Sequence, residues 1–110
     1  MAEPVAAEQR AHPRVPVALD VALGRKVGNE VHARTCDLSV TGACITCDRP
    51  LRVDEELRFD LALPIGAHLG GKARVLRQER HDTYALRFEH IAPATRGALD
   101  AFVAERRATG

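Results

Sequence analysis

Apolar side chains fall on every second position from Val15 through Val17, Leu19 and Val21 to Leu23. The alternation returns at Val31, Ala33 and Thr35, at Leu57, Phe59, Leu61 and Leu63, at Ala73 and Val75, and at Tyr84, Leu86 and Phe88. A period of two lines up residues on one face of an extended chain, so each run is a half-buried strand and not a helix. Turn formers separate the runs: Gly24 to Asn29, Ser39 to Gly42, Arg49 to Asp54, Pro64-Ile65-Gly66 and Arg80 to Thr83. With a short strand at Ala43–Cys47 added, the expected strands are 15–23, 31–37, 43–47, 57–63, 72–79 and 84–88. Short strands this closely spaced make a small barrel or sandwich.

After Phe88 the period changes. Pro93 suits the first turn of a helix, and Leu99, Phe102, Val103 and Arg106 stand at i, i+3, i+4 and i+7. A helix over about 93–107 follows, weakened by about 1 kcal/mol at Gly97 relative to alanine. The chain's 110 residues suit one domain with one core. The expected fold is therefore all-β with a C-terminal helix, six strands at about 15–90 closed by α-helix, behind a flexible lead at 1–9 that shows no periodicity.

Charge and composition exclude several functions. A net charge of +1 gives no overall pull toward nucleic acid or an anionic membrane. The chain holds one tyrosine, three phenylalanines and no tryptophan, mostly at core-facing positions, so it lacks the exposed stacking platforms that single-stranded nucleic acid needs. No run approaches the roughly 18 apolar residues that span a bilayer, and the acidic, non-apolar start is no signal peptide, which implies a cytoplasmic protein. Cys36, Cys44 and Cys47 cannot all pair within one chain and suit a reducing compartment. Cys44 and Cys47 form a CxxC, but i and i+3 of a strand face opposite ways, and no second CxxC or His-x3-His completes a zinc set. All three cysteines are expected to be small, buried or half-buried residues. His12, His32, His68, His81 and His90 are scattered without ligand spacing. Ser39 has a carboxylate nearby but no GxSxG context, and Glu55-Glu56 reads as a solvated strand entry, so no catalytic set and no cofactor are expected.

Two short motifs are left over. Arg10-Ala11-His12-Pro13-Arg14 carries two guanidinium groups four residues apart, and Pro13 biases His12 toward an extended conformation. Asp37-Leu38-Ser39-Val40-Thr41-Gly42 packs a carboxylate, a hydroxyl and a glycine between two strands. Guanidinium is a planar fork that matches a phosphate or the paired acceptors of a guanine edge. A carboxylate accepts from N–H donors in return, and glycine allows close backbone approach. Each motif alone has a plain reading. With 14 arginines in the chain, two of them four apart are commonplace, and Asp-x-Ser most often bonds its own backbone. Their conjunction, in this order on a six-strand chain, points to an anionic ligand bearing guanine.

In these residues the chain resembles the PilZ domain family, bacterial receptor modules for cyclic di-GMP. Arg10 and Arg14 match RxxxR; Asp37, Ser39 and Gly42 match [D/N]xSxxG; and the closing Tyr84-Ala85-Leu86-Arg87-Phe88-Glu89 is also similar in order and spacing. The resemblance implies a six-stranded antiparallel barrel with a C-terminal helix, spanning 10–110 here. It also implies that Arg10 and Arg14 grip the ligand's phosphates and guanines, that Asp37 and Ser39 hydrogen-bond a guanine, and that Gly42 permits a close turn. Gln9 stands where many members carry another arginine and is an additional candidate contact, while Ala85 replaces a glycine frequent in the last strand. The implied activity is that of a receptor that changes conformation with cyclic di-GMP and signals through a protein partner. The alternative is a barrel of the same shape that binds only protein.

Overall fold

A computed structural model describes residues 13–109 of the chain. Its strands are β1 (Val15–Pro16), β2 (Asp20–Arg25), β3 (Val31–Leu38), β4 (Gly42–Cys47), β5 (Glu56–Ala62), β6 (His68–Arg80) and β7 (Thr83–His90), and they are followed by the helix α1 (Pro93–Thr109). Every pairing is antiparallel, in the order β3-β2-β5-β6-β7-β4. Strand β4 pairs back onto β3, so six strands close a barrel, with β1 an extra strand on β3. Closure leaves none of these six strands at a sheet edge, and β1 alone among the described strands has a single partner.

The alternation in the sequence is the inside of this barrel. Leu23, Leu38, Ile45, Leu57, Leu61, Val75 and Leu86 are all buried there. The rings of Phe59 and Phe88 stack at 4.6 Å between centroids. Tyr84 is buried, and its hydroxyl accepts from the backbone N–H of Leu51 at 3.1 Å. Helix α1 adds Leu99 and Val103 to the same core, and the Arg106 guanidinium lies over the Phe102 ring at 5.9 Å.

The first expected strand, 15–23, is broken into β1 and β2, although Val15, Val17, Leu19, Val21 and Leu23 are all buried as expected. The cause is Thr35. Its buried hydroxyl donates to the Val17 carbonyl at 2.5 Å and accepts from the Leu19 N–H at 2.9 Å, standing in for ladder bonds. Pro16 lies opposite Asp37 but Asp20 lies opposite Arg34, so the first strand holds one residue more than β3 across the gap. We expect Thr35→Val, which keeps the shape, to orphan both backbone groups at about 1–3 kcal/mol each. At about 4–8 °C per kcal/mol for a domain near this size, the melting midpoint drops by roughly 10 °C or more. A midpoint unchanged by this substitution, measured by thermal denaturation, would show that the threonine bonds do not hold the break.

Strand β6 begins at His68, ahead of the expected start at Lys72. Gly71 is what lets the strand pass. A Cβ there would meet the His90 carbonyl at 2.9 Å and the Phe59 ring at 3.0 Å. The reversal between β5 and β6 does fall at Pro64–Gly66, where Gly66 takes φ 91° and the Leu63 N–H donates to Ala67 at 2.8 Å.

Candidate functional site

The site is built around an irregularity in β3. Thr35 lies opposite Ile45 and Asp37 opposite Cys44, which leaves Cys36 as an extra residue against β4. Strict alternation would send Asp37 inward with Val31, Ala33 and Thr35. A bulge re-aims the residues that follow it, so Asp37 is only half-buried and Leu38 takes the core position. Because Pro16 of β1 pairs with Asp37, the chain just ahead of β1 runs past the same spot. Arg14 Nη1 donates to Asp37 Oδ1 at 2.7 Å, and the Cys44 N–H donates to the same oxygen at 3.3 Å. With the Arg14 side chain 47% and the Asp37 side chain 33% exposed, this ion pair is worth only about 0–1 kcal/mol. A ligand able to satisfy both groups can open it at little cost.

The next residues shape the adjoining turn. Ser39 is buried, and its Oγ accepts from the N–H groups of Thr41 and Gly42, each at 3.2 Å, and donates to the Gly42 carbonyl at 3.3 Å. The hydroxyl is thus committed to its own turn. Gly42 needs no unusual φ; among the described residues only Gly28, Asp54 and Gly66 take positive values. Its requirement is space, since a Cβ at Gly42 would overlap the Leu86 carbonyl oxygen of β7. From α1, Arg96 Nη1 donates to the Val40 carbonyl at 3.4 Å and braces the turn. Helical periodicity gives no hint of that contact.

The structure therefore brings Arg14, Asp37, Ser39 and Gly42 to one end of the β3–β4 pair. Arg10 and Gln9, with the lead at 1–9, lie outside the described residues. Two other cations near the site, Arg74 and Arg87, share one carboxylate. Opposite Gly42, Arg87 donates to Glu89 at 3.3 Å and Arg74 donates to the same carboxylate at 2.9 Å, and first Arg74, then Arg87, hold Glu89 below the usual carboxylate range against the opposing effect of burial.

The cysteines need one correction. Cys47 is buried and Cys44 half-buried, facing opposite ways as alternation requires, with Cys47 Sγ donating to the Arg49 carbonyl at 3.2 Å. Cys36 is exposed, because it continues the outward row of His32 and Arg34. Burial first, then the Cys36 thiol beside it, push the Cys44 thiol up to about 12. His32, His68, His81 and His90 are exposed, and no group of three or more His, Cys, Asp or Glu side chains among the described residues could hold a metal ion. A concavity of about 780 Å³ lies toward the opposite end of β4, where Thr46 faces Thr83, with Arg49, Asp48, His81 and Asp82 on its walls. Its charges are of mixed sign, and Arg34 on its rim is already paired with Asp20 at 3.0 Å. No described helix is long and apolar enough to cross a membrane.

Comparison with known proteins bears on this geometry. The PilZ domain family model matches residues 8–105. The Bacillus subtilis inhibitor of motility MotI superposes with a TM-score of 0.79 at 21% identity, over 92% of this chain and 52% of that one. The PilZ domain of YcgR from Escherichia coli, solved with c-di-GMP, gives a TM-score of 0.75 at 12% identity, over 92% of this chain and 93% of that one. The PilZ domain of CeSA from a cellulose-synthesizing bacterium gives 0.68 at 18% identity, over 86% and 98%. The chain spans about half the length of MotI, and no curated protein matches it. Identities this low establish the shared barrel and nothing finer. The family model covers the chain from the segment ahead of β1 into the closing helix, and the barrel is the one those structures share: the chain belongs to the PilZ domain family.

Proposed function

We propose that this chain is a receptor for cyclic di-GMP and acts as an adaptor toward a protein partner in the cytoplasm, with no chemistry of its own. One observation carries the reading. Arg14 and Asp37, 23 residues apart in sequence, meet at 2.7 Å beside the Ser39–Gly42 turn. A guanine presents N–H donors on one edge and acceptors on another, so a carboxylate and a guanidinium side by side can take both. On binding, Asp37 turns from Arg14 to the guanine N–H groups, and Arg14 turns to phosphate or to the guanine acceptors. Tyr84, Phe59 and Phe88 are committed to the core and Phe102 lies under the Arg106 guanidinium, which leaves the planar faces of Arg10 and Arg14 to stack on the bases. Arg10, four residues ahead of Arg14, is within about 14 Å of it along the chain. Ser39 and Gly42 serve the ligand by fixing the turn, and Gln9 is a further contact at the lead. In domain terms, residues 1–9 lead into a receptor domain at 10–110. The YcgR PilZ domain is solved with c-di-GMP and MotI is an inhibitor of motility, which supports both the ligand and a protein partner.

The commitment of the Ser39 hydroxyl to its own turn favours a second reading, a barrel that binds only protein. Thermal denaturation with cyclic di-GMP, cyclic di-AMP and GTP separates the two. A ligand that binds only the folded state adds about 2.7 kcal/mol of stability at a hundred times its dissociation constant. The receptor reading requires the melting midpoint to rise with cyclic di-GMP and not with the adenine analogue. A midpoint that no nucleotide raises decides for the protein-only barrel.

A further inference from the structure

We propose that Cys36 and Cys44 are a thiol pair that small-molecule disulfides oxidise to a cross-strand disulfide, and that this bond weakens the adjoining nucleotide site. The first half stands on the register of β3 against β4 and the exposure of the two thiols, while the second rests on the receptor reading above.

The geometry begins with the bulge. Cys36 and Asp37 together oppose the single residue Cys44, and at such an irregularity the two residues of the longer strand crowd their one partner. Cys36 is exposed and Cys44 half-buried, each on the outward row of its strand. Cys47 takes no part, since it is buried on the inner row and its thiol is held by the Arg49 carbonyl. A metal is the other usual use for paired thiols, but the described residues supply no third ligand.

The exchange follows from exposure. The accessible Cys36 sulfur, as thiolate, attacks one sulfur of a disulfide RSSR, forms a mixed disulfide and releases RS⁻, which takes up a proton. Cys44 is half-buried, and burial first and then the neighbouring Cys36 push its thiol up, so the exposed Cys36 reacts first and Cys44 is left to resolve the mixed disulfide. The Cys44 sulfur then loses its proton to solvent and attacks the Cys36 sulfur, expelling the second RS⁻. In sum two protein thiols and one RSSR become one protein disulfide and two RSH, with two electrons passed to the reagent.

The site is coupled to this bond through the backbone. Asp37 directly follows Cys36, and its Oδ1 accepts from the N–H of Cys44 itself. A disulfide holds its two Cβ atoms roughly 3.8 Å apart. Drawing Cys36 onto Cys44 turns the 36–37 peptide and carries the carboxylate away from Arg14.

The test treats the full chain with glutathione disulfide. Intact mass should fall by two hydrogens, and peptide mapping should join Cys36 to Cys44. That product should be absent in Cys36→Ser and in Cys44→Ser and unchanged in Cys47→Ser. Calorimetry with cyclic di-GMP should show the oxidised protein binding about tenfold or more weakly, with dithiothreitol restoring it and Cys36→Ser showing no response to oxidant. A stable glutathione adduct on Cys36, or any link to Cys47 in place of Cys44, overturns the thiol pair. A mapped Cys36–Cys44 bond with unchanged affinity overturns the coupling. A reduced protein that binds no cyclic di-GMP removes the receptor reading and the coupling with it, while the mapped bond still decides the chemistry.

Discussion

Arg14→Ala is expected to weaken cyclic di-GMP binding by about a hundredfold while leaving the barrel folded. The loss combines a charge-assisted, forked hydrogen bond at about 1.5–3 kcal/mol with a stacking contribution of about 0.5–2 kcal/mol. Stability should barely change, because the Arg14–Asp37 pair is exposed and such pairs contribute about 0–1 kcal/mol. Arg14→Lys restores the charge but neither the fork nor the plane, so most of the loss should remain. Titration calorimetry at fixed ionic strength measures both variants. Full recovery in the lysine variant would reduce the role of Arg14 to a point charge and remove stacking from the account.

The second large effect concerns folding. Gly42→Ala places a methyl group against the Leu86 carbonyl, where backbone and not a flexible side chain is in the way. In a closed barrel β4 cannot move off β7 without straining its pairing to β3. Overpacking typically costs about 1–3 kcal/mol and sometimes more. At about 4–8 °C per kcal/mol the alanine variant should melt roughly 10 °C or more below the parent, with Gly42→Val lower still. Nucleotide binding would fall only as the folded fraction falls. An alanine variant that melts with the parent but no longer binds would make Gly42 a ligand contact and not a packing requirement.

The fold was legible because the period of two runs through nearly every strand, and the change of period after Phe88 marks the helix. The break at residues 17–19 could not be read, since the inward row continues across it and the cause is one hydroxyl on the neighbouring strand, Thr35. The early start of β6 was hidden because only Leu69 marks the inward row ahead of Ala73, with Gly71 between them kept bare by the Phe59 ring and the His90 carbonyl. At the site, Arg14, Asp37, Ser39 and Gly42 were visible as residue types and spacings. What each does depends on the bulge at Cys36, a matter of register that no single strand's sequence records. Cys36 itself is exposed with His32 and Arg34, where the alternation of its strand already places it.

The central claim is that the segment at Arg14 and the Asp37–Gly42 turn surround one small molecule. Backbone amide NMR of the labelled chain during titration with cyclic di-GMP tests it most directly. The account predicts that the largest shifts cluster at Arg14, at Asp37 through Gly42 and at Cys44, whose N–H donates to the Asp37 carboxylate. Shifts that gather around Arg49 and His81 at the far end of β4, or no shifts at all, would contradict it.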